Sequence, residues 1–285
     1  MWQPGPVNHL MPAGLVRGAD LLVDQWPAMA FEGVVQGFVY ALLALACTRV
    51  AGRVDVGQVA GFSLGLFAAY LAFWLLGFRP GPTPDVAPAL VLVFLVLALV
   101  AAVAVATAVS AAVAVRWSAP LGVGVFAVVQ LGTWLLRGPE AEPQVRLFRP
   151  HELLPGVDDV QLAVVLLAAA GVAGSVAAAR RGVSPVLVSG ALSGLAALLY
   201  LVKVPGAAWY LTGITVGLYA VTAAVLGRTT RSAVVAAIVL GLVQVLVETV
   251  VGPRWWLPFA GFLLVAAIGF RLLSARRRRR VEVAV

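Results

Sequence analysis

The stretch VAPALVLVFLVLALVAAVAVATAVSAAVAV, residues 86–115, decides the fold class of this chain. It contains 30 residues and no charged side chain. As a helix it would be about 45 Å long, whereas the hydrocarbon core of a bilayer is about 30 Å thick. The stretch is therefore long enough to cross a membrane, with a tilt or a projecting end.

Eight further apolar runs, of 17 to 21 residues each, are also candidates to cross the membrane. The nine candidate spans are 31–48, 57–77, 86–115, 120–136, 160–179, 184–202, 211–227, 232–251 and 255–273. The run 211–227 has only 17 residues and carries three glycines, so it is either a short span or a partly re-entrant one. The pattern predicts an all-α, polytopic membrane protein with eight or nine transmembrane helices, at least one of them broken or re-entrant.

Composition agrees with a membrane domain and argues against a soluble one. Of the 285 residues, 62% are hydrophobic and 11% are charged, whereas soluble domains carry about 25% charged residues. The net charge of +8 includes the run Arg276–Arg280. Basic residues beside spans follow the positive-inside rule, so this run predicts a cytoplasmic C-terminus in the plasma (inner) membrane. Binding of anionic membrane lipid is the alternative role, and nucleic acid is not expected as a partner.

The predicted domain organisation has three parts. Residues 1–30 form an N-terminal segment in which 14–24 can lie on the membrane surface as a short amphipathic helix. Residues 31–273 form the transmembrane domain, and residues 274–285 form a basic cytoplasmic tail.

Chemistry-bearing residue patterns are scarce. The single cysteine, Cys47, excludes an intrachain disulfide, and the two histidines, His9 and His151, are far apart in sequence. Nucleotide-binding Gly-Lys-Ser/Thr loops and zinc-protease motifs are missing from the sequence. We therefore expect no metal site, no cofactor and no enzymatic activity.

Residues 49–65, RVAGRVDVGQVAGFSLG, interrupt the apolar pattern most strongly. They carry Arg49, Arg53, Asp55 and Gln58 together with four closely spaced glycines. One interpretation is an ordinary cytoplasmic loop followed by a tightly packed helix. The other is a broken helix whose free backbone groups point at a solute, as in many transporters.

Two stretches resemble a known family. Residues 31–73 begin FEGVVQGFVYALLALACT, and residues 217–227 read GLYAVTAAVLG. The family-like positions in the first stretch are Phe31, Gly33, Val34, Gly37, Tyr40, Ala41, Leu42, Ala44, Thr48, Val50, Gly52, Ala60 and Tyr70. Both stretches resemble the branched-chain amino-acid permeases of ABC importers, and the run Thr222–Gly227 is the most specific match.

The chain also departs from that family pattern. Of the family's Asn-Phe-Ala-His-Gly type motif, only the alanine survives, as Ala60, while Gln58 keeps a side-chain amide. Gln244 stands where the family commonly has a carboxylate. The long loop that docks on the ATPase in the family is reduced to residues 180–183 between two spans. Four arginines remain as candidates for a small coupling contact: Arg180, Arg181, Arg228 and Arg231.

The resemblance implies a permease subunit of an ABC importer. Its implied partners are a second permease subunit, an ATP-binding subunit and a solute-binding protein, and its implied solute is a branched-chain amino acid or a similar small polar molecule. The residues expected to face the substrate path are Gln58, Ser63, Thr222 and Gln244, although helix packing is the alternative for each. A non-transporting scaffold, favoured by the short loop, and an ion-driven transporter, disfavoured by the lack of a central acid, are the competing hypotheses.

Overall fold

The computed structural model describes residues 11–49, 54, 57–75, 88–114, 151–154, 157–203, 212–227, 229–252 and 255–283. Within these ranges the chain forms eight α-helices and one short β-hairpin. The helices are α1 (Met11–Arg49), α2 (Gly57–Leu75), α3 (Pro88–Ala114), α4 (Asp159–Arg180), α5 (Pro185–Lys203), α6 (Thr212–Leu226), α7 (Thr230–Val250) and α8 (Trp256–Val283). The strands are β1 (Glu152–Leu154) and β2 (Val157–Asp158), which pair antiparallel.

Six of these helices contain segments long and apolar enough to cross a bilayer. The segments are Trp26–Thr48, Val91–Ala112, Asp159–Arg180, Pro185–Lys203, Thr230–Val250 and Leu257–Ser274. Helices α2 and α6 contribute shorter apolar segments, Gly57–Ala72 and Gly213–Leu226. The protein is therefore a multi-pass, helical membrane protein, as the sequence predicted. The count of eight or nine crossings and a re-entrant segment at 211–227 stay predictions, and the expected span 120–136 lies outside the described residues.

Two helices are longer than the apolar runs that predicted them. Helix α1 begins at Met11, so the expected surface helix 14–24 is continuous with the first span. Pro27 lies inside this long helix. Helix α8 continues to Val283 through the basic tail. Neither extension follows from hydropathy, because a helix can continue past the hydrocarbon boundary wherever its sequence permits. The proposed division at residues 30 and 274 stays a prediction.

The β-hairpin is an element that the sequence analysis missed. It lies between the expected spans 120–136 and 160–179. Its strands have only three and two residues. Strands this short carry no readable alternation of polar and apolar residues.

Contacts along α1 fix the direction of its neighbours. Ser189, near the start of α5, donates to the carbonyl of Ala46, near the end of α1, at 2.9 Å. Lys203, at the end of α5, pairs with Glu32 of α1, so the two helices are antiparallel. We call the end of the bundle that holds Glu32 and the β-hairpin the hairpin end, and the opposite end the turn end.

Helix α1 is the centre of the bundle. It contacts α2, α4, α5, α6 and α7, and all residues from Val39 to Cys47 are at most 1% exposed. By contrast, α4 and α8 expose many large apolar side chains, including Leu166, Phe262 and Val265. A helix that is apolar on every side yet exposed fits a lipid environment.

Glycines bring α1 and α7 into close contact. A Cβ atom added to Gly33 would lie 2.7 Å from the Cα of Leu242, and one added to Gly37 would lie 2.5 Å from the Cα of Ile238. Gly241 faces these two glycines from α7. Small residues spaced four apart allow helix backbones in membranes to approach closely.

A matched pair of substitutions tests this packing. Gly37→Ala should lower the free energy of unfolding by about 1–3 kcal/mol, because the new methyl group overpacks against backbone that cannot yield easily. Gly174→Ala is the control, since its Cβ would have no neighbour within 4 Å. Thermal unfolding of the detergent-solubilised protein measures both, and equal effects of the two changes would contradict the packing argument.

Candidate functional site

A stripe of polar residues runs along the buried side of α1 at the hairpin end. Glu32, Gln36 and Tyr40 follow one another at intervals of four residues, a spacing that places side chains on one helix face. Gln36 and Tyr40 are 4% and 0% exposed. Because polar groups are costly in hydrocarbon, this stripe needs partners on the neighbouring helices.

Lys203 supplies the first partner. Its Nζ atom lies 2.6 Å from Glu32 Oε1, and it also donates to Gln36 Oε1. The lysine side chain is 5% exposed and that of Glu32 is 35% exposed. The ammonium group is thus buried, and the carboxylate that neutralises it reaches the surface at the hairpin end.

The hydrogen bonds continue from Gln36 to α7 in a single direction. Gln36 Nε2 donates to Tyr40 OH at 2.8 Å, and Tyr40 OH donates to Gln244 Oε1. Gln244 Nε2 then donates to Glu248 Oε1 at 2.6 Å. We call Lys203, Gln36, Tyr40, Gln244 and Glu248 the polar relay. The cation of Lys203 at one end and the carboxylate of Glu248 at the other fix the orientation of the two glutamine amides between them. In such a chain each hydrogen bond strengthens the next.

Gln161 ties α4 to the same network. Its backbone N–H donates to Asp158 Oδ1 at 2.6 Å, and its side-chain oxygen accepts from the Asp158 N–H, which completes a capping box at the start of α4. The Nε2 atom of Gln161 donates to Glu32 Oε2 at 2.8 Å. Both oxygens of Glu32 are therefore engaged, one by Lys203 and one by Gln161.

Aromatic rings enclose the middle of the relay. Tyr40 stacks on Tyr219 of α6 with ring centroids 5.2 Å apart and planes 8° from parallel. Tyr200 of α5 meets Phe62 of α2 edge to face at 6.1 Å. All four rings are at most 4% exposed, so the relay lies in a dry environment where its hydrogen bonds are strong.

Gln58 forms a second, separate polar contact. It lies in the first turn of α2, is 0% exposed, and accepts from Ser110 Oγ of α3 at 2.8 Å. Ser110 Oγ also lies 2.9 Å from the carbonyl of Ala106. Within the described residues Gln58 Nε2 and Ser193 Oγ are buried without a hydrogen-bond partner, which makes Gln58 the less completely satisfied of the two predicted glutamines.

Ser63 and Thr222 make contacts within their own helices. Ser63 Oγ donates to the carbonyl of Val59 at 3.0 Å, and Thr222 Oγ1 donates to that of Leu218 at 2.7 Å. Both side chains are buried. Such bonds satisfy a hydroxyl without a partner helix, which is the packing alternative considered above. Of the four predicted path residues, the structure places only Gln244 in the relay.

The predicted coupling arginines lie at the turn end where they are described. Arg180 and Arg181 are exposed beside Gly182, whose φ of 71° lets the Val183 N–H reach the Ala178 carbonyl at 3.1 Å. This Schellman motif closes the connection from α4 to α5 in four residues. Arg231 is exposed in the first turn of α7, and Arg228 lies outside the described residues.

An apolar cavity of about 370 Å³ lies between α3, α4 and α5. Its lining is almost entirely aliphatic, from residues such as Leu95, Leu167 and Leu198, with Asp159 at its rim. The described ranges contain no group of three acidic, histidine or cysteine residues that could hold a metal ion. The relay is therefore the largest assembly of chemically active groups that the structure describes.

Sequence reasoning singled out Gln244 as a polar residue but missed the network. Two signals were available. Polar residues recur at four-residue intervals in both helices, in α1 at Glu32, Gln36 and Tyr40 and in α7 at Gln244 and Glu248. In addition, Lys203 is the only lysine among the 20 basic residues of the chain.

The ion pair of the network is open to a direct test. Lys203→Met should lower the free energy of unfolding by about 2 kcal/mol, because Glu32 and Gln36 lose their donor; the partial exposure of Glu32 keeps this below the loss expected for a fully buried pair. Adding Glu32→Gln should restore part of that loss. A double-mutant cycle by thermal unfolding in detergent measures the coupling, and strictly additive effects would contradict the pairing.

Comparisons with known proteins bear on the part of the chain that holds Lys203, Gln244 and Glu248. Residues 180–268 match the family model described as branched-chain amino acid transport system, permease component. No curated protein and no solved structure gives a significant match. The family match includes the stretch 217–227 but not residues 31–73. Over residues 180–268 the chain is thus similar to the permease component of branched-chain amino acid transport systems, which confirms the resemblance inferred from its sequence.

Proposed function

We propose that this chain is the membrane-spanning permease subunit of an ABC importer. It would form part of the translocation path for a branched-chain amino acid or a similar small polar solute. The observation that carries the proposal is the polar relay, three of whose members lie in the family-matched residues 180–268. A structural bundle in hydrocarbon gains little from such a costly set of polar groups, whereas a solute path needs them.

The proposed roles divide between two sets of residues, one lining the path and one contacting the ATP-binding subunit. Gln58 and Gln244 would face the path directly, with Ser63 and Thr222 on the helix faces beside them. Arg180, Arg181, Arg228 and Arg231 would supply the contact with the ATP-binding subunit. ATP binding and hydrolysis on that subunit would shift the equilibrium between two arrangements of the permease pair, provided that the solute binds them unequally.

The proposed orientation puts the turn end in the cytoplasm and the hairpin end outside. Helices α4 and α8 both run towards the turn end, where Arg180, Arg181 and the basic residues of α8 lie. This arrangement satisfies the positive-inside rule. A solute-binding protein would then approach the β-hairpin, and the C-terminus would be cytoplasmic.

One observation favours a second function. The four-residue connection from α4 to α5 is closed by a Schellman motif and leaves no chain for a coupling helix. A permease relative that no longer couples to ATP hydrolysis, and instead acts as a membrane scaffold or partner subunit, would be consistent with this turn.

Co-purification separates the two functions. The chain should be tagged at its N-terminus, extracted from native membranes in mild detergent, and analysed by mass spectrometry. We expect a stoichiometric ATP-binding subunit and a second permease subunit. Recovery of the chain alone, or with unrelated membrane proteins, would contradict the importer and support the scaffold.

Cysteine labelling tests the orientation. Because Cys47 is the only cysteine, a Cys47→Ala background allows single cysteines to be introduced at exposed positions at opposite ends. In intact cells, a membrane-impermeant maleimide should label Glu152→Cys at the hairpin end and not Arg181→Cys at the turn end. Both should be labelled after permeabilisation, and the reverse pattern in intact cells would place the C-terminus outside.

A further inference from the structure

The carboxylate at the end of the polar relay is incompletely paired. Glu248 lies in the last turn of α7 and is half-buried. Its Oε1 atom accepts the hydrogen bond from Gln244 Nε2 at 2.6 Å. Among the described residues, no donor reaches its other oxygen. Within the described part of the chain, one oxygen of Glu248 can therefore accept a further hydrogen bond without disturbing the relay.

Among the described residues, the network around Glu248 has fewer cations than carboxylates. Glu32 and Glu248 contribute two negative charges, whereas Lys203 contributes one positive charge and is already held against Glu32 and Gln36. Lys203 donates to Gln36 and Glu248 accepts from Gln244, so the two charged groups belong to one hydrogen-bonded network. An uncompensated carboxylate in a partly dry site is costly and attracts a cation.

The surroundings of Glu248 strengthen this preference. The last turn of a helix carries the partial negative charge of its free carbonyl groups, which favours a cation and opposes a carboxylate.

We propose that Glu248 binds the ammonium group of a small amine-bearing solute that enters at the hairpin end. The inference rests on the proposed function, since it names the part of the solute that this subunit recognises. The open oxygen of Glu248 accepts a hydrogen bond from the ammonium group. The solute's carboxylate, where it has one, makes no contribution at this site because Lys203 is occupied.

Three probes that differ only in their charged groups test the proposal. L-leucine, isoamylamine and isovalerate have similar branched alkyl chains and carry, respectively, both charges, the ammonium alone and the carboxylate alone. Binding to the full-length chain purified in detergent is measured calorimetrically at matched ionic strength. Leucine and isoamylamine should bind, and isovalerate should not. Binding of isovalerate as tightly as isoamylamine, or no binding of isoamylamine, would overturn the proposal.

A charge-removing variant and a matched control sharpen the test. Glu248→Gln keeps an oxygen that can accept from Gln244, so the relay can persist while the negative charge is lost. It should weaken isoamylamine binding by about tenfold or more. Glu152→Gln removes the same charge from the exposed strand β1 and should leave binding unchanged. Unaltered isoamylamine binding by a folded Glu248→Gln variant would overturn the proposal. If Glu248→Gln unfolds the protein, Glu248→Asp is used instead, because it keeps the charge and only shortens the side chain. The Glu248→Asp variant should bind isoamylamine measurably.

Failure of this inference and failure of the proposed function give different results. An ATP-binding subunit that co-purifies with a chain indifferent to isoamylamine supports the importer and overturns the Glu248 site. A chain that is recovered alone yet binds isoamylamine through Glu248 supports the site and overturns the importer.

Discussion

The pairing of one buried ammonium group governs the arrangement of the bundle at its hairpin end. Lys203 cannot remain charged in a dry environment without partners, and both of its partners lie on α1. This requirement fixes the end of α5 against the first apolar turns of α1. Because Glu32 is shared with Gln161, the same pairing also holds the start of α4. One charge thus sets the position of three helices.

Close backbone packing makes the rest of the relay geometrically feasible. Tyr40 reaches Gln244 only because Gly33 and Gly37 of α1 pack against the backbone of α7, with Gly241 facing them. Side chains larger than hydrogen at these positions would push the helices apart by more than a hydrogen bond can stretch. The glycines that resemble a family pattern in the sequence therefore have a physical role, which is to bring the polar stripe of α1 and that of α7 together.

The sequence predicted the helical elements well because hydropathy alone determines which segments favour the membrane. It predicted the site less well, because a span's polar residues do not reveal their partners. Gln58 and Gln244 looked equivalent as isolated amides, yet one belongs to the relay and the other pairs with Ser110. Lys203 looked like a loop residue because it ends an apolar run, and only the antiparallel approach of α1 and α5 shows that it is buried. The extension of α1 to Met11 and the two short strands do not follow from the periodicity of apolar residues.

The hydrogen bond that joins α1 to α7 limits how the bundle can move. Separation of α1 from α7 would break the bond from Tyr40 to Gln244 and leave both groups unpaired in a dry environment, at a cost of about 1–3 kcal/mol for each group left unsatisfied. Helices α1, α5 and α7 are therefore expected to move as one unit, and any rearrangement takes place at contacts that contain fewer polar bonds. A solute that replaced Tyr40 at Gln244 would have to pay this cost. A solute that used the open oxygen of Glu248 would leave the relay intact. A solute can therefore bind without separating α1, α5 and α7 only at the Glu248 end of the relay.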